Sequence, residues 1–190
     1  MILSPKNKGV YDMLFLLDLD ETLLFSDGEE SEGKWFLPRP HLTEFLNFIH
    51  THFQLAVYTT ASFDYTHEAL KLLFPFPLEQ SFVFHKKYTE KTFNTELMKH
   101  YRYKKIHKIS DRLGFERNDV VFLDDLGSAR ITPLSKVIKA PKFKGDLNDD
   151  FLLILKNKIE LVLKEGFQDN IDFVNKLGYI AENKPEYHCK

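Results

Sequence analysis

The sequence predicts an α/β protein: a three-layer, doubly wound parallel sheet with helices on both faces. Two features indicate this fold class. Short apolar stretches of strand length alternate along the chain with amphipathic stretches of helical period, an order that is typical of parallel sheets. Three of the strand-length stretches also end in polar residues, as expected where a ligand binds beyond the carboxyl ends of the strands.

Each strand is predicted from a short apolar run, and each helix from apolar residues spaced three and four apart. The strands are predicted at Leu14–Leu17, Leu55–Tyr58, Ser81–His85, Val120–Leu123 and Val137–Ile138. The helices are predicted at Leu42–Ile49, Tyr65–Leu73, Ile106–Leu113, Leu152–Leu163 and Ile171–Leu177. Residues 1–12 and the acidic loop at 26–33 are expected to have little regular structure.

Length and composition indicate a single domain. The chain has 190 residues, of which 43% are hydrophobic and 28% charged. These values are ordinary for globular proteins, and the length suffices for a sizeable core. We expect residues 1–165 to form the main domain and residues 166–190 to form a helical tail that packs on it or extends from it.

Charge and cysteine content exclude several classes of protein. The net charge of −2 argues against broad attraction to nucleic acid or to an anionic membrane, so direct nucleic-acid binding is not expected. The single cysteine, Cys189, excludes a disulfide framework and a cysteine-based metal site. No stretch has the roughly 20 apolar residues of a membrane span, and the N-terminus lacks a signal-peptide pattern. We therefore expect a soluble, intracellular protein, cytoplasmic or otherwise.

Polar side chains follow three of the predicted strands. Asp18–Asp20 follow the first strand, Thr59–Thr60 follow the second, and Asp124–Asp125 follow the fourth. These strand ends are expected to lie side by side at one edge of the sheet, where crowded carboxylates would raise one another's pKa. A divalent cation with oxygen ligands relieves this repulsion, and Mg²⁺ favours carboxylates together with a phosphate. The pattern therefore predicts a metal and an anion, the two requirements of phosphoryl transfer.

The segment Lys86–Lys105 differs in character from the rest of the chain. It carries seven Lys or Arg residues interleaved with aromatic residues. Such a segment can bind a phosphorylated partner or nucleic acid. It can equally be a solvated surface helix whose lysine stems cover apolar surface, and the sequence leaves both interpretations open.

Four motifs together resemble one family of enzymes. Asp18–Thr22 reads Asp-Leu-Asp-Glu-Thr and is similar to the DxDxT signature of aspartate-nucleophile phosphatases of the haloacid dehalogenase superfamily. The chain resembles in particular the phosphatases of the RNA polymerase II C-terminal domain and their small, NLI-interacting-factor-like relatives. The other three motifs are Arg39–Leu46, Thr60–Ser62 and Leu123–Asp125. The resemblance runs from about Asp12 to Pro141 and implies a Rossmann-like sheet without a large cap domain.

The resemblance implies a role for each residue around the phosphate. Asp18 would attack phosphorus and form an aspartyl-phosphate, which divides one difficult displacement into two easier ones. Asp20 would act first as general acid and then as general base. Thr60 and the backbone amides that follow it, beginning with Ala61, would bind the phosphoryl oxygens.

A lysine before the third predicted helix would supply positive charge to the phosphate. The resemblance assigns this role to Lys108, six residues before Gly114. The segment 86–105 forms a small insertion before this lysine that the related phosphatases lack. Lys104 and Lys105 are therefore neighbouring alternatives.

The resemblance also implies Mg²⁺ as cofactor. Its ligands would be the carboxylate of Asp18, the main-chain carbonyl of Asp20 and the Asp124–Asp125 pair. Asp125 corresponds to the family position that binds the metal directly, with Asp124 as the close second. The metal would keep the nucleophile deprotonated and shield it from the incoming phosphate.

The expected partner is a phosphorylated protein or peptide. Between Thr22 and Arg39 there is room for a flap only, so the site should be open to a protein segment that carries phosphoserine, phosphothreonine or, as the longer alternative, phosphotyrosine. A phosphatase of small metabolites is the second hypothesis. A catalytically silent binding module is the third, although such modules usually lack one of the carboxylates that are present here.

Overall fold

The computed structural model describes residues 12–26, 36–94, 98–126, 131–132 and 137–178. The expectations for residues 1–11, for most of the acidic loop and for residues 179–190 lie outside this range. Within it, no helix combines the length and the apolar character needed to cross a membrane.

The central sheet has five parallel strands, as the sequence predicts. β1 (Leu14–Leu17) lies in the middle and pairs with β4 (Gln54–Tyr58) on one side and with β8 (Val120–Asp124) on the other. β5 (Val83–Phe84) lies beyond β4, and β10 (Val137–Lys139) lies beyond β8. The three strands that end in polar residues are therefore neighbours.

Apolar residues on both faces of the sheet explain why it lies in the middle of three layers. Successive side chains of a strand point to opposite faces. Phe15 and Leu17 belong to one buried cluster, and Leu14 and Leu16 belong to a second one. The strands need apolar residues at every position because both of their faces are covered.

In the described residues, five helices cover the sheet. The first cluster contains buried residues of α1 (Leu42–His52), α2 (Phe63–Leu73), α4 (Phe151–Glu165) and α5 (Asn170–Leu177). The second cluster contains buried residues of α3 (Ile106–Leu113). Helices on both faces confirm the predicted fold class. The predicted boundary at residue 165 stays a prediction.

Two short strands form the flap that the sequence leaves room for. β2 (Leu24–Phe25) pairs antiparallel with β3 (Leu37–Pro38). Arg39, directly after β3, donates its backbone N–H to Leu23 O at 2.9 Å. The flap is thus anchored next to the end of β1.

The basic-aromatic segment forms a β-hairpin, so the interpretation as a surface helix is wrong. β6 (Glu90–Asn94) pairs antiparallel with β7 (Lys99–Lys105), and the end of β7 pairs parallel with β9 (Ile131–Thr132). The third predicted strand is also shorter than expected. Residues Gln80–Phe82 form a 3₁₀ turn and only Val83–Phe84 pair with β4.

Candidate active site

Three carboxylates meet where β1 and β8 end. Leu17 pairs with Leu123 in the parallel register, so Asp18 and Asp124 leave the sheet side by side. The backbone N–H of Asp18 donates to Leu123 O at 3.0 Å. Carboxylate oxygens of Asp18, Asp124 and Asp125 lie within 4.8 Å of one another, and all three residues are buried. The structure thus brings together the acids that the sequence assigns to the metal.

The buried ammonium of Lys104 lies against two of these carboxylates. Its Nζ is 2.7 Å from Asp18 Oδ1 and 2.6 Å from Asp124 Oδ2. The side chain is fully buried and lies on the inward face of β7. Lys104 therefore places one positive charge among three buried acids, next to the residue expected to act as nucleophile.

Lys108 lies outside this cluster, which corrects its sequence-based placement. Its ammonium pairs with Glu90 on β6, and its side chain is 52% exposed. The reason is the start of α3 at Ile106. Because Ile106 and Ile109 face the core, a residue two positions after Ile106 lies about 200° around the helix and points outward. The same apolar spacing was visible in the sequence and argues against Lys108, but it does not choose between Lys104 and Lys105.

Burial dominates the electrostatics of the carboxylates. It raises the pKa of Asp18 and of Asp125, the latter to about 6, and it raises the pKa of Asp124 to about 8. Burial by itself would lower the pKa of Lys104, but the charges of Asp124 and Asp18 outweigh it and raise that pKa. The lysine is thus charged at neutral pH, whereas the acids bind protons more readily than usual.

One oxygen of Asp125 has the environment of a metal ligand. The Thr22 hydroxyl accepts from Asp125 N at 3.0 Å and donates to Asp125 Oδ1 at 3.3 Å. Asp125 Oδ2 is buried and accepts no hydrogen bond from the described residues, and the Lys142 ammonium is 3.5 Å away. A buried carboxylate oxygen without a donor is costly. This donor set fits a hard cation such as Mg²⁺.

Both oxygens of Asp124 are already occupied. Lys104 takes Oδ2, and the backbone N–H of Leu126 donates to Oδ1 at 2.7 Å. Asp125 is therefore better suited than Asp124 to bind a metal directly.

Asp20 faces a partner that the sequence did not reveal. Tyr65, on α2, donates a hydrogen bond from its hydroxyl to Asp20 Oδ1. Burial raises the pKa of Asp20, although this hydrogen bond lowers it. From its spacing, Tyr65 was predicted only to line the apolar face of the helix. No local pattern shows which strand end a helical hydroxyl will reach.

The loop between β4 and α2 contains the predicted phosphate-binding residues. Thr60 is half-buried, two residues beyond the end of β4, the strand that pairs with β1. The Ala61 N–H donates to Thr59 Oγ1 at 3.1 Å, and the expected role of this N–H in phosphate binding stays a prediction. Ser62 caps α2 by accepting from Tyr65 N at 3.4 Å. The loop thus leads directly into a helix N-terminus, which favours anions.

Arg39 fixes the surroundings of Thr22. Its guanidinium makes a two-point ion pair with Asp149, with both N···O distances 2.7 Å. Its Nη1 also donates to Thr22 O at 2.9 Å and to Pro141 O at 3.0 Å. Arg39 is 1% exposed. Through Thr22 it supports the position of Asp125.

The solved structures that resemble this fold include two of one phosphatase. One is a variant of the fission yeast RNA polymerase II C-terminal-domain phosphatase Fcp1 bound to beryllium fluoride; it has a TM-score of 0.52 and 18% identity and covers 70% of this chain and 42% of its own. The other is Fcp1, an essential RNA polymerase II C-terminal-domain phosphatase; its TM-score and identity are the same, and it covers 92% of this chain and 55% of its own. This chain therefore spans about half the length of these proteins or less. At this identity the likeness shows the fold.

Sequence comparison shows the family. No curated protein sequence matches the chain significantly. The sequence profile of the NLI interacting factor-like phosphatases, a group of phosphoric monoester hydrolases within the haloacid dehalogenase superfamily, matches residues 13–171. This range contains the carboxylate cluster, Lys104 and the hairpin. The chain belongs to the NLI interacting factor-like phosphatase family.

Proposed function

We propose that this protein is a Mg²⁺-dependent phosphatase that hydrolyses phosphomonoesters through an aspartyl-phosphate on Asp18, with phosphoproteins as substrates. The observation that carries the proposal is the buried ammonium of Lys104, 2.7 Å from Asp18 Oδ1, together with two further buried carboxylates within 4.8 Å of Asp18. A nucleophilic carboxylate needs a nearby cation and metal ligands before it can approach a phosphate dianion.

In the first step, an Asp18 carboxylate oxygen attacks phosphorus in line with the ester oxygen. The new Asp18–phosphorus ester bond forms while the bond to the substrate oxygen breaks. The protonated carboxyl of Asp20 gives its proton to that oxygen, which leaves as an alcohol. Burial raises the pKa of Asp20, which favours the protonated form that this step requires.

In the second step, a water molecule attacks the phosphorus of the aspartyl-phosphate. The Asp20 carboxylate takes a proton from the water, inorganic phosphate leaves, and the Asp18 carboxylate is restored. The ammonium of Lys104 neutralises charge on the phosphoryl oxygens in both steps. Preorganised donors of this kind contribute most where charge gathers in the transition state.

Asp18, Asp125 and the main-chain carbonyl of Asp20 would hold Mg²⁺, with Asp124 as a supporting residue. The buried Asp125 Oδ2, which accepts no hydrogen bond from the described residues, supports this assignment. When bound, Mg²⁺ supplies Lewis-acid neutralisation of the phosphoryl oxygens and keeps the nucleophile ionised.

We propose phosphoserine or phosphothreonine in a protein segment as the substrate, with phosphotyrosine as the alternative. The described part of the flap is one pair of two-residue strands, which supports access for an extended segment. The Thr60 side chain and the N-terminus of α2, which both follow β4, would bind the phosphate.

The proposal is tested by measuring hydrolysis of p-nitrophenyl phosphate, a panel of phosphopeptides and a panel of sugar and nucleotide phosphates, with Mg²⁺ and with chelator. We expect turnover that needs Mg²⁺ and that falls by at least about a thousandfold in Asp18→Asn, because the nucleophile is lost. Trapping of a phosphorylated wild-type chain that is absent in Asp18→Asn would support the intermediate. Glu160→Gln, at the surface of α4, serves as the matched carboxylate-to-amide control.

Two results would contradict the proposal separately. Activity that survives Asp18→Asn or ignores chelator would overturn the mechanism. A preference for metabolites over every phosphopeptide would overturn the protein substrate and leave the chemistry standing.

A further inference from the structure

Four cations outside the proposed catalytic residues lie beside the carboxyl edge of the sheet. They are Lys86, Lys87, Lys91 and Arg102, and we call them the basic rim. The three lysines are exposed and Arg102 is half-buried. Across the described ranges, none of the four makes an ion pair. No acid of the described residues therefore pairs with the positive charge of the rim.

The alternation of β7 aligns the rim with the catalytic lysine. Arg102 lies two residues before Lys104, so both side chains leave the same face of the strand. Their Cα atoms are about 7 Å apart in an extended strand. Lys91 on β6 is paired directly with Arg102 and shares that face. Lys104 contacts Asp18. Arg102 and Lys91 lie on the same face of the hairpin, farther from Asp18.

Arg102 is held in place rather than freely solvated. Its Nη1 donates to Lys86 O at 3.1 Å and to Thr89 Oγ1 at 2.9 Å. The backbone N–H of Lys86 in turn donates to Ala61 O at 2.7 Å, next to Thr60. The rim is therefore joined by hydrogen bonds to the loop expected to bind the phosphate. These hydrogen bonds use only Nη1 of Arg102, so its Nε and Nη2 can bind an anion through two parallel hydrogen bonds.

Glu90, the acid within the described part of the hairpin, does not neutralise the rim. Glu90 is bound by Lys105 at 2.5 Å and by Lys108. These two lysines lower the pKa of Glu90 to about 2, so its charge is already matched. Burial mainly lowers the pKa of His85, and the charge of Lys87 adds to this shift.

We propose that the basic rim binds a second anionic group of a peptide substrate, either an acidic side chain or another phosphate, within about three residues of the phosphorylated residue. This inference rests on the proposed function and names its substrate class. An extended peptide advances about 3.4 Å per residue, so about 7 Å corresponds to two residues. Arg102 and Lys91 lie on the same strand face as Lys104, and the rim as a whole is small; both features favour a short peptide segment over a nucleic acid.

The test compares kcat/KM for three phosphoserine peptides that differ only in flanking residues. One peptide has neutral flanks, one has two Glu on the N-terminal side, and one has two Glu on the C-terminal side. We expect one of the acidic peptides to exceed the neutral one by about tenfold at low ionic strength, and the advantage to shrink in high salt because such charges are screened. The ratio of acidic to neutral peptide normalises any change in basal rate.

Variants of the rim test whether these cations cause the preference. The double variant Lys87→Ala/Lys91→Ala should bring the ratio close to one, and Arg102→Gln should lower it. Lys91→Glu should reverse the preference toward a peptide flanked by two Lys. Lys164→Ala is the matched control, since Lys164 lies on α4, which packs against α1 and α5, and it should leave the ratio unchanged.

The outcomes separate this inference from the proposed function. Equal kcat/KM for all three peptides, with hydrolysis that depends on Asp18, would overturn the rim and leave the phosphatase. The inference about the rim would also be overturned, and the phosphatase kept, if no peptide preference exists and the rim variants instead abolish binding of a single-stranded oligonucleotide or of anionic vesicles. Absence of any hydrolysis that depends on Asp18 would overturn the proposed function itself.

Discussion

The hydroxyl of Tyr65 donates a hydrogen bond to Asp20 Oδ1, and the Tyr65 ring lies edge-on to Phe36 with 5.0 Å between ring centroids. Tyr65 therefore connects α2, the segment that leads into β3, and the proposed general acid. A carboxyl group that must deliver a proton along one direction benefits from such a contact, because small displacements weaken catalysis strongly.

Removal of this hydroxyl should impair substrates with poor leaving groups most. Tyr65→Phe keeps the ring against Phe36 and leaves Asp20 without its donor. We expect kcat for a phosphoserine peptide to fall about tenfold more than kcat for p-nitrophenyl phosphate, because only the alcohol needs full protonation as it leaves. Tyr103→Phe on β7 is the matched control. Equal losses for both substrates would show that Tyr65 has a structural role only.

Replacement of Lys104 should abolish activity, and replacement of Lys108 should not. Lys104→Met leaves Asp18 and Asp124 buried without their cation, and removal of one partner of a buried pair costs about 3–5 kcal/mol. We expect kcat to fall by at least about a thousandfold and the melting temperature to fall as well. Lys108→Ala should stay within about twofold of wild type, since this ammonium contacts only Glu90 at the surface. A comparable loss of kcat in both variants would restore the assignment to Lys108.

The metal-free protein should lose stability as the pH rises from about 4 to about 8. Burial raises the pKa of Asp125 from 3.8 to about 6 and that of Asp124 from 3.8 to about 8. When the pKa of a carboxyl is higher in the folded state than in the unfolded state, the folded state binds the proton more tightly. This contribution to stability is complete below the unfolded-state pKa and is lost as the pH rises through the folded-state pKa. The loss is at most about 1.4 kcal/mol per pH unit for each group.

Mg²⁺ should oppose this trend because it binds the ionised carboxylates. Thermal unfolding with chelator and with Mg²⁺ checks both statements: we expect the Mg²⁺-induced rise in melting temperature to be larger at pH 8 than at pH 6. Asp125→Asn should flatten the pH dependence in chelator. A melting temperature that rises with pH in chelator would contradict the prediction.

The Arg39–Asp149 pair should be important for stability. Asp149→Asn leaves the guanidinium, which is 1% exposed, without its countercharge. We expect unfolding to cost about 2–3 kcal/mol less, below the range for fully buried pairs, since the Asp149 side chain is 18% exposed. Chemical denaturation checks this value. Glu160→Gln, which breaks the exposed pair with Lys164, is the control and should change stability much less; equal effects would refute the prediction.

The sequence by itself determined the features that depend on local pattern. Apolar runs in β1, β4 and β8 predict strands buried on both faces, as in a parallel sheet that helices cover on both sides. Because each run ends where its polar residues begin, Asp18 and the Asp124–Asp125 pair were predicted to meet at one edge. The spacing of Ile106 and Ile109 likewise predicted a helix that ends at Gly114, as the structure shows.

Tertiary structure decided which further side chains reach that edge. The basic segment pairs with itself and with β9 as a hairpin, and this non-local pairing sends Lys104 inward while Lys108 remains at the surface. The hydrogen bond of Tyr65 to Asp20 likewise joins residues 45 positions apart. Helical spacing specifies the face on which a side chain lies. The group that it meets depends on how α2 and β7 pack against the sheet, and long-range contacts fix that packing.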